Sequence, residues 1–130
     1  MDNFDDISNA NYIDIYLDRN SKSYIPFYDI KYEINNNMIF GTISNVECLK
    51  ERLIMNTKCT EFSVVIPRKI PIPINTTDLT LNIIDNLEDF EILNDKIKKL
   101  TICFVNKKID IEQCIRKIKV SNKTKVIIKK

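Results

Sequence analysis

The stretch YDIKYEINNNMIFGTISNVECLKERLI, residues 28–54, changes its apolar period halfway, and that change decides the fold class. Tyr28, Ile30, Tyr32 and Ile34 alternate with Asp29, Lys31 and Glu33, which is the period of a strand with one apolar face. Asn35, Asn36 and Asn37 tolerate the left-handed backbone of a tight hairpin turn, and Met38 to Ile43 return as the partner strand. Ser44-Asn45-Val46-Glu47 then reads as a capping box: the Ser44 hydroxyl accepts from the Glu47 amide, and the Glu47 carboxylate reaches back to the Ser44 amide. Val46, Leu49, Leu53 and Ile54 follow at helical spacing, so a helix is expected over about 45–56. Cys48 lies beside this stripe.

On the N-terminal side, residues 1–10 read as a flexible acidic tail and residues 11–130 as a single α+β domain. Ile13, Ile15 and Leu17 alternate with Tyr12, Asp14 and Tyr16, a first strand. On the C-terminal side, Phe62 to Ile66 is a strand. Pro67, Pro71 and Pro73 lack the donor that a central ladder needs, so this run is an edge or an extended connection. Leu79 to Ile84 is a short strand or helix, and Asn86 to Leu93 a brief helical turn. Leu100 to Val105 is a mostly buried strand with Phe104 turned to the core. Asp110 opens a short helix carrying Ile111, Cys114, Ile115 and Ile118. Ser121-Asn122-Lys123 is a turn, and Lys125 to Ile128 a last strand. No internal repeat is evident. A chain of this size buries roughly two-thirds of its unfolded surface, so the core needs no covalent staple.

The composition excludes more chemistry than it suggests. There is no histidine, which removes the commonest general base, the Ser-His and Cys-His nucleophile pairs and the commonest zinc ligand. The one glycine, Gly41, leaves no Gly-rich phosphate loop. The four cysteines, Cys48, Cys59, Cys103 and Cys114, have no C-x-x-C spacing and read as reduced thiols rather than a zinc site. Asp85, Glu88, Asp89 and Glu91 are the densest carboxylates, and around one short helix they read as a solvated face. No calcium-loop pattern is present. Asn75-Thr76-Thr77 and Asn122-Lys123-Thr124 match the glycosylation pattern without a secretory signal beside them. No run approaches the roughly 20 apolar residues of a membrane span, and an intracellular location, cytoplasmic or nuclear, is expected. No catalytic residue, metal or cofactor is expected.

The formal net charge is only +2, but it is unevenly spread. Residues 1–20 carry five aspartates and one arginine, whereas residues 107–130 carry nine Lys/Arg against Asp110 and Glu112. Lys107, Lys108, Arg116, Lys117, Lys119, Lys123 and Lys125 would bind phosphate by counterion release if they shared a face. Few aromatics interleave with them, so base stacking is poorly supported. The same lysines would equally serve as a solvated surface.

The order strand, turn, strand, capped helix, strand, then Leu87, Asp89, Phe90 and Ile92 ahead of the strand Leu100 to Val105, resembles the ubiquitin-like β-grasp over residues 28–108. The resemblance implies a mixed β-sheet with one main helix packed across it, here with a short basic C-terminal helix added. It also implies binding through an open sheet face, where Val65, Thr101 and Cys103 would point outward. The chain ends Ile127-Ile128-Lys129-Lys130 without the family's di-glycine, so conjugation is not implied. A second resemblance is to phosphoinositide-binding PX domains, carried by Val65-Ile66-Pro67-Arg68-Lys69-Ile70-Pro71. That family's Arg-Arg-Tyr-x-x-Phe stretch is absent, its place being held by Gly41-Thr42-Ile43-Ser44. The expected function is a non-catalytic interaction or assembly subunit docking to a larger protein or nucleoprotein complex. The residues expected to carry it are Val65, Arg68, Lys69, Thr101, Cys103, Arg116, Lys117, Lys119 and Lys123. The alternative is a module contacting nucleic-acid phosphate or an anionic membrane through its basic C-terminal region.

Overall fold

The computed structural model describes residues 4–17, 30–34, 39–42, 46–66, 71–83, 90–92, 95–104 and 108–129. Their order is α1 (Phe4–Asn9), β1 (Tyr12–Leu17), β2 (Ile30–Ile34), β3 (Ile39–Thr42), α2 (Val46–Met55), β4 (Glu61–Ile66), β5 (Asp78–Ile83), β6 (Phe90–Ile92), β7 (Lys99–Phe104), α3 (Ile111–Lys117), β8 (Ile118–Val120) and β9 (Lys125–Lys129). The α+β class holds, and the strands read from two-residue alternation form.

Seven strands make one sheet in the order β3-β2-β1-β4-β5-β7-β9. The hairpin of β2 and β3 pairs antiparallel at one edge. The other five strands are all parallel and lie side by side in chain order. These five strands, rather than one helix crossing a hairpin as the β-grasp resemblance implies, organise the described residues. The chain winds as a short solenoid, laying one strand beside the last on each pass.

One hydrogen-bond arrangement marks each pass. The Asn11 carbonyl accepts from the amides of Thr60 and Glu61 at 3.0 and 3.3 Å. The Thr60 carbonyl accepts from Thr77 and Asp78 at 2.9 and 3.0 Å, and that of Thr77 from Lys98 and Lys99 at 2.8 and 3.1 Å. The Lys98 carbonyl accepts from Lys125 at 2.8 Å. A repeat is therefore present where none is evident in the sequence. Its unit is a buried residue, two variable residues, and two inward residues separated by one. It runs Ala10-x-x-Ile13-x-Ile15, Cys59-x-x-Phe62-x-Val64, Thr76-x-x-Leu79-x-Leu81 and Ile97-x-x-Leu100-x-Ile102, and every named position is buried. The first position changes from Ala to Cys to Thr to Ile and the intervals are unequal, which hides the unit from inspection.

The core lies between the inner face of this sheet and the segments that return the chain. Ile13, Phe62, Leu79 and Leu100 stack in register across four strands, followed by Val64, Leu81 and Ile102, then Ile83 and Phe104. Each such side chain contributes about 1.5–3 kcal/mol by leaving water. Ile7 of α1, Leu49 and Leu53 of α2, and Cys114 of α3 close the other side, with Ile111, Ile115, Ile118 and Val120 packed against them. β6 and β8 pair in parallel in a second, two-stranded sheet.

Several expectations change. Residues 4–9 of the expected tail form α1, because Ile7 and Ala10 are fully buried and α1 packs on α2. Leu49 and Leu53 face the core as expected, but Ile54 is 64% exposed, since at 3.6 residues per turn it lies well round the helix from the Leu49–Leu53 stripe. Phe90–Ile92 is a strand, not part of a helical turn, because Ile118–Val120 offers it a parallel partner. The capping box at Ser44, most of the proline run and the Asp85–Asp89 cluster lie outside the described residues. The second capped start is present: the Asp110 side chain accepts from the Gln113 amide at 3.3 Å.

Candidate interaction face

Parallel sheets are normally covered on both faces, and their strands are apolar throughout. Here the inner face is apolar, whereas the outer face is mostly polar and charged. The outer positions of β1, β4, β5, β7 and β9 line up in three rows across strands about 4.8 Å apart. The first row is Tyr12, Glu61, Asp78, Lys99 and Lys125. The second is Asp14, Ser63, Thr80, Thr101 and Ile127. The third is Asn82, Cys103 and Lys129, with Val65 in register with Asn82 on the neighbouring strand.

Residues of the first two rows, from Tyr12 and Glu61 across to Lys99 and Thr101, line an open hollow of about 330 Å³ over the strands that carry Phe62 and Leu79. Its chemistry is a line of hydroxyls, Ser63, Thr80 and Thr101, beside a charged rim. The rim is ordered acid, acid, base, base. Glu61 stands opposite Asp78, and Lys99 opposite Lys125, all exposed. Like charges directly opposite one another destabilise a sheet. None of the four forms an ion pair with another described residue. Asn82 donates to the Ser63 hydroxyl at 3.1 Å and fixes the upper wall of the face.

The expected site residues divide. Thr101 lies on this face but is only 8% exposed, because Thr80 and Ile127 flank it in register. Cys103 is half-buried one row away, in register with Asn82, which is in register with Val65. Arg68 and Lys69 lie outside the described residues. Arg116 and Lys117 are on α3 and Lys119 on β8, in the layer on the far side of the core from the hollow. Lys123 is in the turn before β9, where its ammonium lies 3.9 Å from Asp95. The C-terminal basic residues therefore do not share one face: Lys125 and Lys129 are on the sheet, and the α3 and β8 residues are behind it. The sequence reading missed Tyr12, Asp14, Glu61, Ser63, Asp78, Thr80 and Lys99. Alignment of the strands by their buried unit would have found them, since each fills an outward position of that unit.

The cysteines do not converge. Cys59 and Cys114 are buried, and Cys48 and Cys103 half-buried. Burial pushes the Cys59 thiol up to about 12, against hydrogen bonds to the backbone of Glu61 and Ile13 that pull it down. Such a thiol is held protonated and inert. Among the described residues, no group of three or more His, Cys, Asp or Glu side chains comes together as a metal site. Among them, too, no helix is long and apolar enough to cross a membrane. In comparisons with protein-family models, curated proteins and solved structures, the chain matches none.

Proposed function

We propose that this chain is a non-catalytic interaction subunit that docks a larger protein on the outer face of its parallel sheet. One observation carries the reading: a parallel sheet with an apolar inner face presents, on its other face, ordered rows of hydroxyl, amide and charged side chains around a hollow. Winding one strand per pass is how solenoids build extended binding surfaces. The missing histidine favours binding over turnover. The rim order gives the partner's chemistry: cationic side chains over Glu61 and Asp78, and anionic ones over Lys99 and Lys125.

The test is site-specific photo-cross-linking in the native cell. A photoreactive residue at Thr80 is expected to trap one stoichiometric protein, with the adduct surviving nuclease. The same residue at exposed Gln113, on α3, traps none. Glu61→Lys is expected to abolish the Thr80 adduct without lowering stability, because it removes a like-charge pair. A nuclease-sensitive adduct, or one formed from Gln113 but not Thr80, would overturn the reading.

A further inference from the structure

The last strand of the sheet carries a second surface. β9 pairs with β7 on one side, and no described strand lies on its other side. The Lys125 amide donates to the Lys98 carbonyl at 2.8 Å. Backbone groups alternate along a strand, so those of Lys125, Ile127 and Lys129 face β7. Those of Val126 and Ile128 face outward, where no described strand pairs with them, and such an edge is a template for another strand.

The side chains point to the same vacancy. Val126 is in register with Leu100, and Ile128 with Ile102, so both stand on the core side of the sheet. Leu100 and Ile102 are 0% and 1% exposed, whereas Val126 and Ile128 are 40% and 39% exposed. β5 shields one flank of β7, but nothing described shields the corresponding flank of β9. A strand added at this edge would bond to these outward backbone groups and cover both apolar side chains at once.

Charge selects the occupant. Lys125 and Lys129 are exposed on the opposite face of β9, and Lys99 stands beside Lys125. A second copy pairing antiparallel through β9, centred on Ile127, would set Lys125 against the other copy's Lys129. That juxtaposes like charges, which is how edge strands resist self-association. We propose that β9 accepts, as an added strand, an extended segment of a protein partner in which acidic residues alternate with apolar ones. The acidic side chains lie against Lys125 and Lys129, and the apolar ones over Val126 and Ile128. This does not rest on the outer-face reading, and Glu61→Lys leaves it intact.

The test uses the full chain and a fluorescein-labelled peptide alternating glutamate with valine and isoleucine, followed by anisotropy. A lysine-for-glutamate peptide is the control. The acidic peptide is expected to bind at least about tenfold more tightly, and to protect the Val126 and Ile128 amides from hydrogen exchange. Ile128→Pro removes a donor on the free side alone, a position where edge strands tolerate proline. It should lower affinity by about tenfold or more with the melting temperature little changed. Should that variant fail to fold, the pair Lys125→Glu and Lys129→Glu is expected to reverse the peptide preference. The proposal fails if the two peptides bind alike, if binding survives Ile128→Pro in a folded protein, or if the charge reversal leaves the preference unchanged. Sedimentation showing a β9-dependent dimer would also overturn it.

Discussion

Asn56 sits in the turn between α2 and β4 with no exposed surface and all of its side-chain polar groups occupied. Its amide donates to the carbonyls of Ile7 and Ala10 at 2.6 and 3.0 Å, and its oxygen accepts from Lys58 and Cys59 at 2.7 and 2.8 Å. It thereby ties the start of the fourth strand to the start of the first. Asn56→Ala removes all four bonds and leaves the Ala10 carbonyl and the Cys59 amide buried without these partners, and should cost about 2–4 kcal/mol in urea unfolding. Asn56→Asp should be no better, because a carboxylate would face the carbonyls of Ile7 and Ala10. Cys59 sets a pH dependence. Its folded pKa, about 12, lies above the ordinary 9.0, so folding favours the protonated thiol. Stability from this group is full below about pH 9 and is lost as pH rises towards 12. Cys59→Ala, which copies Ala10 at the equivalent place, should flatten that alkaline slope in pH-dependent unfolding. Neither residue was legible beforehand: one asparagine among many carries no sign of burial, and a lone cysteine gives no sign of a repeat.

Among the elements, the periodic ones were readable and the short ones were not. β2, β4, β7 and α2 follow from apolar spacing over enough residues to fix a period. β6 and β8 have three residues each and exist because they pair with one another, a partnership that no local pattern encodes. α3 is seven residues long, too short to hold by itself. Its Asp110 cap and the buried Cys114 fix it, so Asp110→Ala should cost about 1 kcal/mol in thermal unfolding. The charged rim belongs to this scale as well. Glu61→Lys replaces a like-charge neighbour of Asp78 with an attractive one, and should raise stability by a few tenths to about 1 kcal/mol. The gain should shrink in high salt, because all the charges involved are exposed.

At the scale of the molecule, parallel strands in chain order mean that each pass touches chiefly its neighbours. The central strands β4 and β5 have partners on both sides, and β9 on one. Native-state hydrogen exchange should therefore show the slowest amides in β4, β5 and β7 and markedly faster ones in β9. Leu81→Ala, in the middle of the stack, should cost about 2–5 kcal/mol and lower protection throughout the sheet. Uniform protection across all five strands would count against a solenoid that unfolds from its open end.

The sequence by itself determined the class of fold, most strands, two of the helices and the lack of histidine chemistry, because alternation, helical spacing and composition are properties of short windows. Only the tertiary structure decided that the strands lie parallel in chain order. Ala10, Cys59, Thr76 and Ile97 are equivalent because stacked carbonyl ladders bring them into line, not because they are alike. The same stacking assembles the outer rows and leaves Val126 and Ile128 uncovered, since which residues share a face depends on register between distant segments.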